Sequence, residues 1–146
     1  MTDLARFRIV CNFLSDVSLV QNAIKNSSEL KRAFEIKEKT SIEQRPAQRK
    51  SGERSVKLIL EFKNKPGLFL EIQIMTQLAE AWDKKDHYLI YEIRRMSPDK
   101  DEENFSDFSD AKMFAMAELL YIADNYFDDL KKQREKNKEG NSHETS

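Results

Sequence analysis

The 146-residue sequence has few of the residues that build several common sites and scaffolds. Its one cysteine, Cys11, excludes an intrachain disulfide and a cysteine-ligated zinc site. Its two histidines, His87 and His143, are far apart in the chain, which argues against a histidine-ligated zinc site. With only three glycines, the chain has no glycine-rich phosphate loop. Any metal chemistry is therefore expected to use carboxylates and substrate phosphates.

The sequence also lacks an excess of charge of one sign and a long apolar run. Twenty-five Lys and Arg against 26 Asp and Glu leave a formal net charge of -1, so a broad basic surface for nucleic acid is not indicated. No apolar run approaches the ~18 residues that span a bilayer. The N-terminal residues MTDLARFRIV carry charges where a signal peptide has its apolar segment. Length and composition predict one small cytoplasmic domain.

The first third of the chain contains alternating strand and helix signals. Residues 6–13 are rich in Phe, Ile and Val and predict a buried strand. A helix is predicted next, with its start at the capping residues Ser15 and Asp16. Residues 30–37 alternate apolar and charged side chains and predict a half-exposed strand. Residues 39–54 are polar and predict a long loop, of the kind that is usually functional or disordered.

The middle of the chain predicts a hairpin followed by a helix. Residues 55–62 and 68–74 are apolar strand segments, separated by a turn that contains Pro66 and Gly67. We expect these two strands to pair antiparallel. Residues 76–91 then change to a helical period, with an apolar stripe that includes Trp82. That position favours a core role for Trp82.

The last third of the chain predicts one amphipathic helix. Residues 96–110 are acidic and predict a linker, 111–130 carry Met, Leu and Phe along one face of a helix, and 131–146 predict a disordered tail. The exposed part of the helix could bury against a second subunit. The order of elements predicts an α/β (α+β) fold in which helices flank a mixed sheet.

The segment EIQIMT in the second hairpin strand is the most informative for chemistry. Side chains alternate along a strand, so Glu71, Gln73 and Met75 point to one face, and Ile72 and Ile74 to the other. On the first face, a carboxylate could bind Mg²⁺ or accept a proton, and the amide could contact a ligand. The pattern alone favours the alternative of an ordinary solvated strand face.

This segment resembles a family signature. EIQIMT, followed by Trp82, His87 and Tyr91, is similar to E-[IV]-Q-I-R-T…W…H…Y, a signature of the synthetase domain of the RelA/SpoT family. Upstream, DLARFRIVC resembles the D-x-x-G-x-R-[IV] strand of that family, with Asp3 and Arg8 in place. The segment GERSVK, between the two, resembles G-Y-x-S-x-H. The three blocks occur in the family order over residues 3–95.

The resemblance implies an activity and a set of site residues. Family members transfer pyrophosphate from ATP to the 3'-hydroxyl of GDP or GTP with Mg²⁺, on a nucleotidyltransferase-like fold. By resemblance, Asp3 and Glu71 would bind the metal, and Glu71 would lie near the attacking hydroxyl. Phosphoryl transfer depends on such positioning and on charge neutralisation by metal. The residues expected to bind nucleotide substrates are Arg8, Gly52, Arg54, Ser55, Lys57, Gln73 and His87.

The match breaks at positions that matter for chemistry. Glu53 stands in place of a Tyr expected to stack on guanine, and Lys57 in place of a His. Met75 replaces an Arg that could grip phosphate through a bidentate fork, and Arg6 replaces a Gly. The family's first strand and its basic ATP-binding residues, which lie upstream of the matched blocks, are expected to be missing. We therefore expect an incomplete domain over 1–95 with weak or no synthetase activity.

These departures leave other functions open. One alternative is a non-catalytic module that binds nucleotide, RNA or a full-length synthetase; another is a synthetase with a changed acceptor. A homo-oligomer is a further possibility. The basic residues of the long loop could contact phosphates or could simply be solvated. These residues are Arg45, Arg49, Lys50, Arg54 and Lys57.

Overall fold

The computed structural model describes residues 2–40, 52–91 and 103–143, which form four strands, four α-helices and one π-helical turn. In chain order the elements are β1 (Thr2–Cys11), α1 (Leu14–Asn26), α2 (Ser28–Ala33), β2 (Phe34–Thr40), β3 (Val56–Phe62), β4 (Leu68–Thr76), α3 (Gln77–Asp86), the π-helical turn (His87–Tyr91) and α4 (Glu103–His143). The basic positions 45, 49 and 50 of the predicted loop lie outside the described residues.

The four strands form one mixed sheet in the order β1-β4-β3-β2. β1 runs parallel to β4, whereas β4 pairs antiparallel with β3 and β3 antiparallel with β2. This architecture confirms the predicted mixed sheet flanked by helices. It also confirms the predicted hairpin, because β3 and β4 pair directly across the turn at Gly67.

The hairpin turn is reinforced by a side chain. The backbone N–H of Gly67 donates a hydrogen bond to a carboxylate oxygen of Glu61, at 2.9 Å. That hydrogen bond, together with one from Lys37, lowers the pKa of Glu61. The turn therefore aligns β4 against β3, which sets the register of the site residues on β4.

One face of the sheet forms the hydrophobic core. Apolar side chains at alternate strand positions face α1 and α2, which close the core from that side. The fully buried apolar residues of this cluster include Val17, Val56, Leu58, Leu60 and Ile74. The opposite face of the sheet is thereby left for polar residues.

Three predictions for the first third of the chain are wrong in part. The strand predicted over 6–13 as buried is β1, which ends at Cys11 and lies at the edge of the described sheet, with Phe7 and Val10 exposed. The predicted strand over 30–37 is a helix up to Ala33, and only β2 is extended. Ser27 caps that short helix, since its hydroxyl accepts the N–H of Leu30 at 3.2 Å. The helix expected to start after Ser15 and Asp16 already includes both residues in α1. The Ser27 cap, rather than the apolar alternation, sets the start of α2.

The last helix is much longer than the predicted span of 111–130. Helix α4 includes residues 103–110 of the predicted acidic linker and 131–143 of the predicted disordered tail. The remaining linker and tail positions lie outside the described residues. Neither α4 nor any other helix among the described residues contains an apolar stretch suited to crossing a membrane.

Charge pairs explain why α4 continues past residue 130. Lys132 contacts Asp128 at 2.8 Å, four residues earlier in the helix. Lys131 contacts Asp16 of α1 at 2.7 Å, so the start of the predicted tail is anchored to the body of the molecule. Local composition did not reveal this second contact, because its partner is more than a hundred residues away.

Candidate functional site

Polar side chains occupy the sheet face opposite the hydrophobic core. Glu71 and Gln73 lie on the central strand β4, and register places Arg6 beside Glu71 and Arg8 beside Gln73 on β1. On the other side of β4, Lys57 of β3 pairs with Gln73. Because paired residues project to the same side of a sheet, these five side chains share one surface. We call it the polar face.

A row of hydrogen bonds orders the polar face. The Nη2 atom of Arg8 donates to Oε1 of Gln73 at 3.1 Å and to a carboxylate oxygen of Asp83 in α3 at 2.7 Å. The Nε2 atom of Gln73 in turn donates to Oε1 of Glu71 at 3.1 Å. The Gln73 amide accepts a hydrogen bond through its oxygen and donates one through its nitrogen, so only one orientation of the amide satisfies both. The row therefore connects α3, β1 and β4 and holds the Glu71 carboxylate.

Glu71 is largely buried and surrounded by donors. Its side chain is 8% exposed, and its Oε1 atom lies 3.2 Å from Nε of Arg6. Its Oε2 atom lies 3.9 Å from Nζ of Lys39, which reaches across from β2. A carboxylate can accept a proton or bind a hard cation, but the cationic groups at both oxygens of Glu71 weaken either interaction.

A second polar group lies at the β3 end of the polar face. The Nζ atom of Lys57 contacts the Glu53 carboxylate at 2.8 Å. The hydroxyl of Ser55 donates to the same carboxylate at 3.0 Å, and Ser55 itself is fully buried. Glu53 therefore occupies a place beside Lys57, where its charge is compensated.

The structure brings together five of the nine predicted site residues. Arg8, Glu71 and Gln73 form the hydrogen-bonded row, while Lys57 and Ser55 form the adjoining group around Glu53. Of the remaining four, Asp3 lies on β1 and pairs with Phe69 of β4. A bulge between Asp3 and Ala5 separates it from the pair of Arg6 and Glu71.

Two of the other three predicted residues, Gly52 and Arg54, lie against α3 and α4. Gly52 is buried against Trp82, and His87 is exposed at the start of the π-helical turn. Arg54 is 4% exposed and forms an ion pair with Asp124 of α4. Burial lowers the pKa of the Arg54 guanidinium, an effect that Asp124 opposes. The predicted core position of Trp82 is confirmed, since its indole N–H donates to the carbonyl of Met113 at 2.8 Å.

Three residues that lie on or contact the polar face were not among the predicted site residues: Arg6, Lys39 and Asp83. Lys39 was assigned to a loop, but it lies in β2 and reaches Glu71. Asp83 contacts Arg8, and neither residue's local pattern indicates the other. The usable signal is topological: because β1 lies beside β4, and α3 follows β4 directly, an acidic residue of α3 can meet a basic residue on β1.

The polar face has a donor set that suits a hard divalent cation only in part. Among the described side chains, no three His, Cys, Asp or Glu residues are grouped closely enough to hold a metal by themselves. Mg²⁺ in proteins commonly uses one or two carboxylates and completes its shell with water and substrate phosphates. The Glu71 carboxylate fits that chemistry, and Asp3 lies on the adjacent strand.

Comparison with known families identifies the relationship. The model of the region found in RelA / SpoT proteins matches residues 1–96. The chain therefore belongs to the RelA/SpoT family. Comparison with curated proteins gives no significant match.

Solved structures with the same fold include small alarmone synthetases. Small alarmone synthetase 1 from Bacillus subtilis, bound to its product pppGpp, superposes with a TM-score of 0.70 at 20% identity, over 91% of this chain and 64% of that protein. Small alarmone synthetase 2 from the same organism has a TM-score of 0.68 at 26% identity, over 91% of this chain and 68% of that one.

A third similar structure is a GTP pyrophosphokinase family protein from Streptococcus pneumoniae. Its TM-score is 0.61 at 20% identity, over 88% of this chain and 59% of that protein. The chain thus spans about three fifths to two thirds of the length of these proteins. At these identities, the structural similarity establishes a shared fold and nothing beyond it. The predicted second subunit, RNA contact and cytoplasmic location stay predictions.

Proposed function

We propose that this chain binds ATP and a guanine nucleotide on the polar face and transfers pyrophosphate from ATP to the 3'-hydroxyl of GDP or GTP. The observation that carries the proposal is the ordered row of Arg8, Gln73 and Glu71. A family member with an oriented carboxylate between cationic side chains has the parts that phosphoryl transfer needs. Membership in the RelA/SpoT family supports the assignment.

In this proposal Glu71 acts on the acceptor hydroxyl. The 3'-oxygen attacks the β-phosphorus of ATP, the bond between that phosphorus and the α-phosphate bridging oxygen breaks, and AMP leaves. The hydroxyl proton passes to the Glu71 carboxylate and then to solvent. Gln73 keeps the carboxylate in place through its 3.1 Å hydrogen bond, and burial of Glu71 limits its movement.

The basic residues of the polar face would bind phosphates. Arg6 and Lys39 carry side chains that are 60% and 62% exposed, so both cationic groups are accessible to a ligand. Arg8 is less accessible because Asp83 and Gln73 hold it, which suits a positioning role. Lys57 would need to exchange its contact with Glu53 for a phosphate.

We propose Mg²⁺ as the cofactor, held by Glu71 together with Asp3 and nucleotide phosphates. When bound, the cation would neutralise charge on the transferring phosphate oxygens. Gly52 and Arg54 are buried against α3 and α4, so we assign them no contact with substrate, whereas the exposed His87 is kept as a candidate nucleotide contact.

A second candidate is a nucleotide-binding module without catalysis. It is favoured by the ion pairs that already engage the site: Arg6 and Lys39 at Glu71, and Lys57 at Glu53. Glu53 also cannot stack on a base, which favours a changed acceptor if catalysis occurs.

An assay of the purified chain distinguishes these functions. The wild-type chain and two variants are incubated with Mg²⁺, radiolabelled ATP and either GDP or GTP. The variants are Glu71→Gln and the control Glu29→Gln, which replaces an exposed residue of α2. We expect slow formation of tetra- or pentaphosphate product, unchanged in Glu29→Gln and reduced about 100-fold in Glu71→Gln.

Calorimetric titration with GDP, GTP and ATP accompanies the product assay. Binding without product from any acceptor would contradict the catalytic proposal and establish the binding module. Absence of both binding and product would contradict both candidates. Product formation that Glu71→Gln leaves intact would contradict the role assigned to this carboxylate.

A further inference from the structure

The Glu71 carboxylate has a cationic group close to each of its oxygens. Oε1 lies 3.2 Å from Nε of Arg6 and also accepts a hydrogen bond from Gln73 at 3.1 Å. Oε2 lies 3.9 Å from Nζ of Lys39. A carboxylate that is already neutralised on both sides is a weaker ligand for a divalent cation, because the new cation must displace the existing ones or be repelled by them.

The carboxylate and the two cationic side chains of these ion pairs differ in exposure to solvent. The Glu71 side chain is 8% exposed and bonded to Gln73, so the carboxylate stays in place. The Arg6 and Lys39 side chains are 60% and 62% exposed, so their heads can turn into solvent. Contacts with such exposed groups are weak and easily exchanged. If the pair opens, the cations move and the carboxylate remains.

We propose that Arg6 is a positioning residue that competes with the divalent cation for Glu71 and gives up this contact when nucleotide phosphates arrive. The inference rests on the proposed function, since it assigns Glu71 to the cation site. A phosphate group attracts a guanidinium strongly and can accept two parallel hydrogen bonds from it. Transfer of Arg6 from Glu71 to phosphate exposes the carboxylate to the cation at the moment the substrate is present. The cation and the nucleotide therefore bind cooperatively, and the effect is reciprocal.

Lys39 has a smaller part in this competition. Its 3.9 Å contact is longer than that of Arg6, and an ammonium cannot form the paired contact that a guanidinium can. Replacement of Arg6 is therefore the more sensitive test. Because the Arg6 side chain is exposed, its replacement should leave folding intact, which thermal unfolding monitored by circular dichroism verifies.

The test measures Mn²⁺ binding to the nucleotide-free protein by electron paramagnetic resonance. The proteins are the wild type, Arg6→Gln and the matched control Arg32→Gln, an exposed arginine of α2. We expect Arg6→Gln to bind Mn²⁺ about two- to fivefold more tightly than wild type, with Arg32→Gln unchanged. The double variant Arg6→Gln/Glu71→Gln should lose the gain, because the ligand itself is removed. Equal Mn²⁺ affinity in Arg6→Gln and Arg32→Gln would overturn the competition.

A second arm repeats the titration with GDP present. We expect the advantage of Arg6→Gln over wild type to shrink, because phosphate has already drawn Arg6 from Glu71. An unchanged advantage would overturn the displacement by nucleotide. Neither arm depends on catalysis, so absence of product in the activity assay leaves the inference decidable from Mn²⁺ affinity alone.

Discussion

At the scale of single residues, Gly52 shows how a motif position can serve packing. Its φ angle is +72°, a conformation that side-chain-bearing residues rarely adopt. A Cβ atom there would lie 3.2 Å from the Trp82 ring and 3.4 Å from Cβ of Ala117. The glycine thus lets the chain pass between α3 and α4 on its way to Ser55 and Lys57, which hold Glu53.

Gly67 provides a matched comparison for a substitution at Gly52. Its φ angle is +87°, yet a Cβ atom there would meet nothing within 4 Å. We expect Gly67→Ala to lower the free energy of unfolding by about 1 kcal/mol, from backbone strain alone. Gly52→Ala adds overpacking and should cost about 2–4 kcal/mol. Urea unfolding of both variants measures the difference, and equal losses would contradict the packing role of Gly52.

Residue-scale reasoning from the sequence succeeded where strand alternation was enough. Glu71 and Gln73 are two residues apart on one strand, which predicted their shared face, and the apolar stripe predicted the core position of Trp82. The solvated environment favoured by pattern alone for Glu71 and Gln73 is wrong, because both are buried. Their burial depends on Arg8 and on neighbouring strands, which no local pattern encodes.

At the scale of elements, α4 caps the start of α1. The residue before α1 is Phe13, whose side chain cannot accept a hydrogen bond. Asp128 of α4 takes over this function: its Oδ1 accepts the backbone N–H of Ser15 at 2.9 Å. Lys132 holds the same carboxylate at 2.8 Å. A carboxylate at a helix N-terminus is also favoured by the helix dipole.

This cap predicts a dependence of stability on pH. Burial of Asp128 acts to raise its pKa, but the hydrogen bonds from Lys132 and Ser15 prevail, so the pKa is lowered on folding. A lowered pKa contributes stability above the unfolded-state value, and this contribution is lost as the pH falls through the folded-state value. We expect Asp128→Asn to cost about 1–2 kcal/mol near neutral pH and less at about pH 3.

Urea unfolding at the two pH values measures this effect, with Asp129→Asn as the control. Asp129 is the exposed neighbour of Asp128 in α4, so its replacement should have little effect at either pH. If Asp128→Asn lowers the free energy of unfolding equally at both pH values, the negative charge of Asp128 does not account for the stability that the cap provides.

Element-scale predictions held where the signal was local. The hairpin was predictable because its strands and turn are adjacent in sequence. The start of α3 is likewise set locally, since the Thr76 hydroxyl accepts the N–H of Ala79 at 3.1 Å. The ends of α4 were not predictable from composition. Its contact with α1 at Lys131 joins residues more than a hundred positions apart.

At the scale of the whole molecule, a buried charge network joins the sheet to α4. Arg54 precedes β3 and pairs with Asp124 of α4, and its guanidinium also lies 4.9 Å from the centre of the Tyr121 ring. Thr76, at the end of β4, donates its hydroxyl to the same carboxylate at 2.6 Å. The network fixes α4 against the end of the sheet at which β3 begins and β4 leads into α3.

Removal of one partner should be worse than removal of both. Asp124→Ala leaves the Arg54 charge buried without compensation and is expected to lower the free energy of unfolding by about 3–5 kcal/mol. The double variant Arg54→Met/Asp124→Leu replaces the pair with apolar side chains of similar size and should recover most of that loss. Chemical unfolding of both variants tests this expectation. A double variant as unstable as Asp124→Ala would indicate that packing around the pair, and not the charge, dominates.

The sequence by itself determined the family, the mixed sheet, the hairpin and the face on which Glu71 and Gln73 lie. The family followed from the resemblance of three motif blocks, and the strands, the hairpin and the shared face from spacing and alternation, which depend on neighbours along the chain. Only the tertiary structure decided which charged groups meet. It placed Arg6 and Lys39 at Glu71, and Arg54 in a buried pair away from the polar face. Such contacts depend on strand order and helix placement, because side chains distant in sequence become neighbours only when the chain folds.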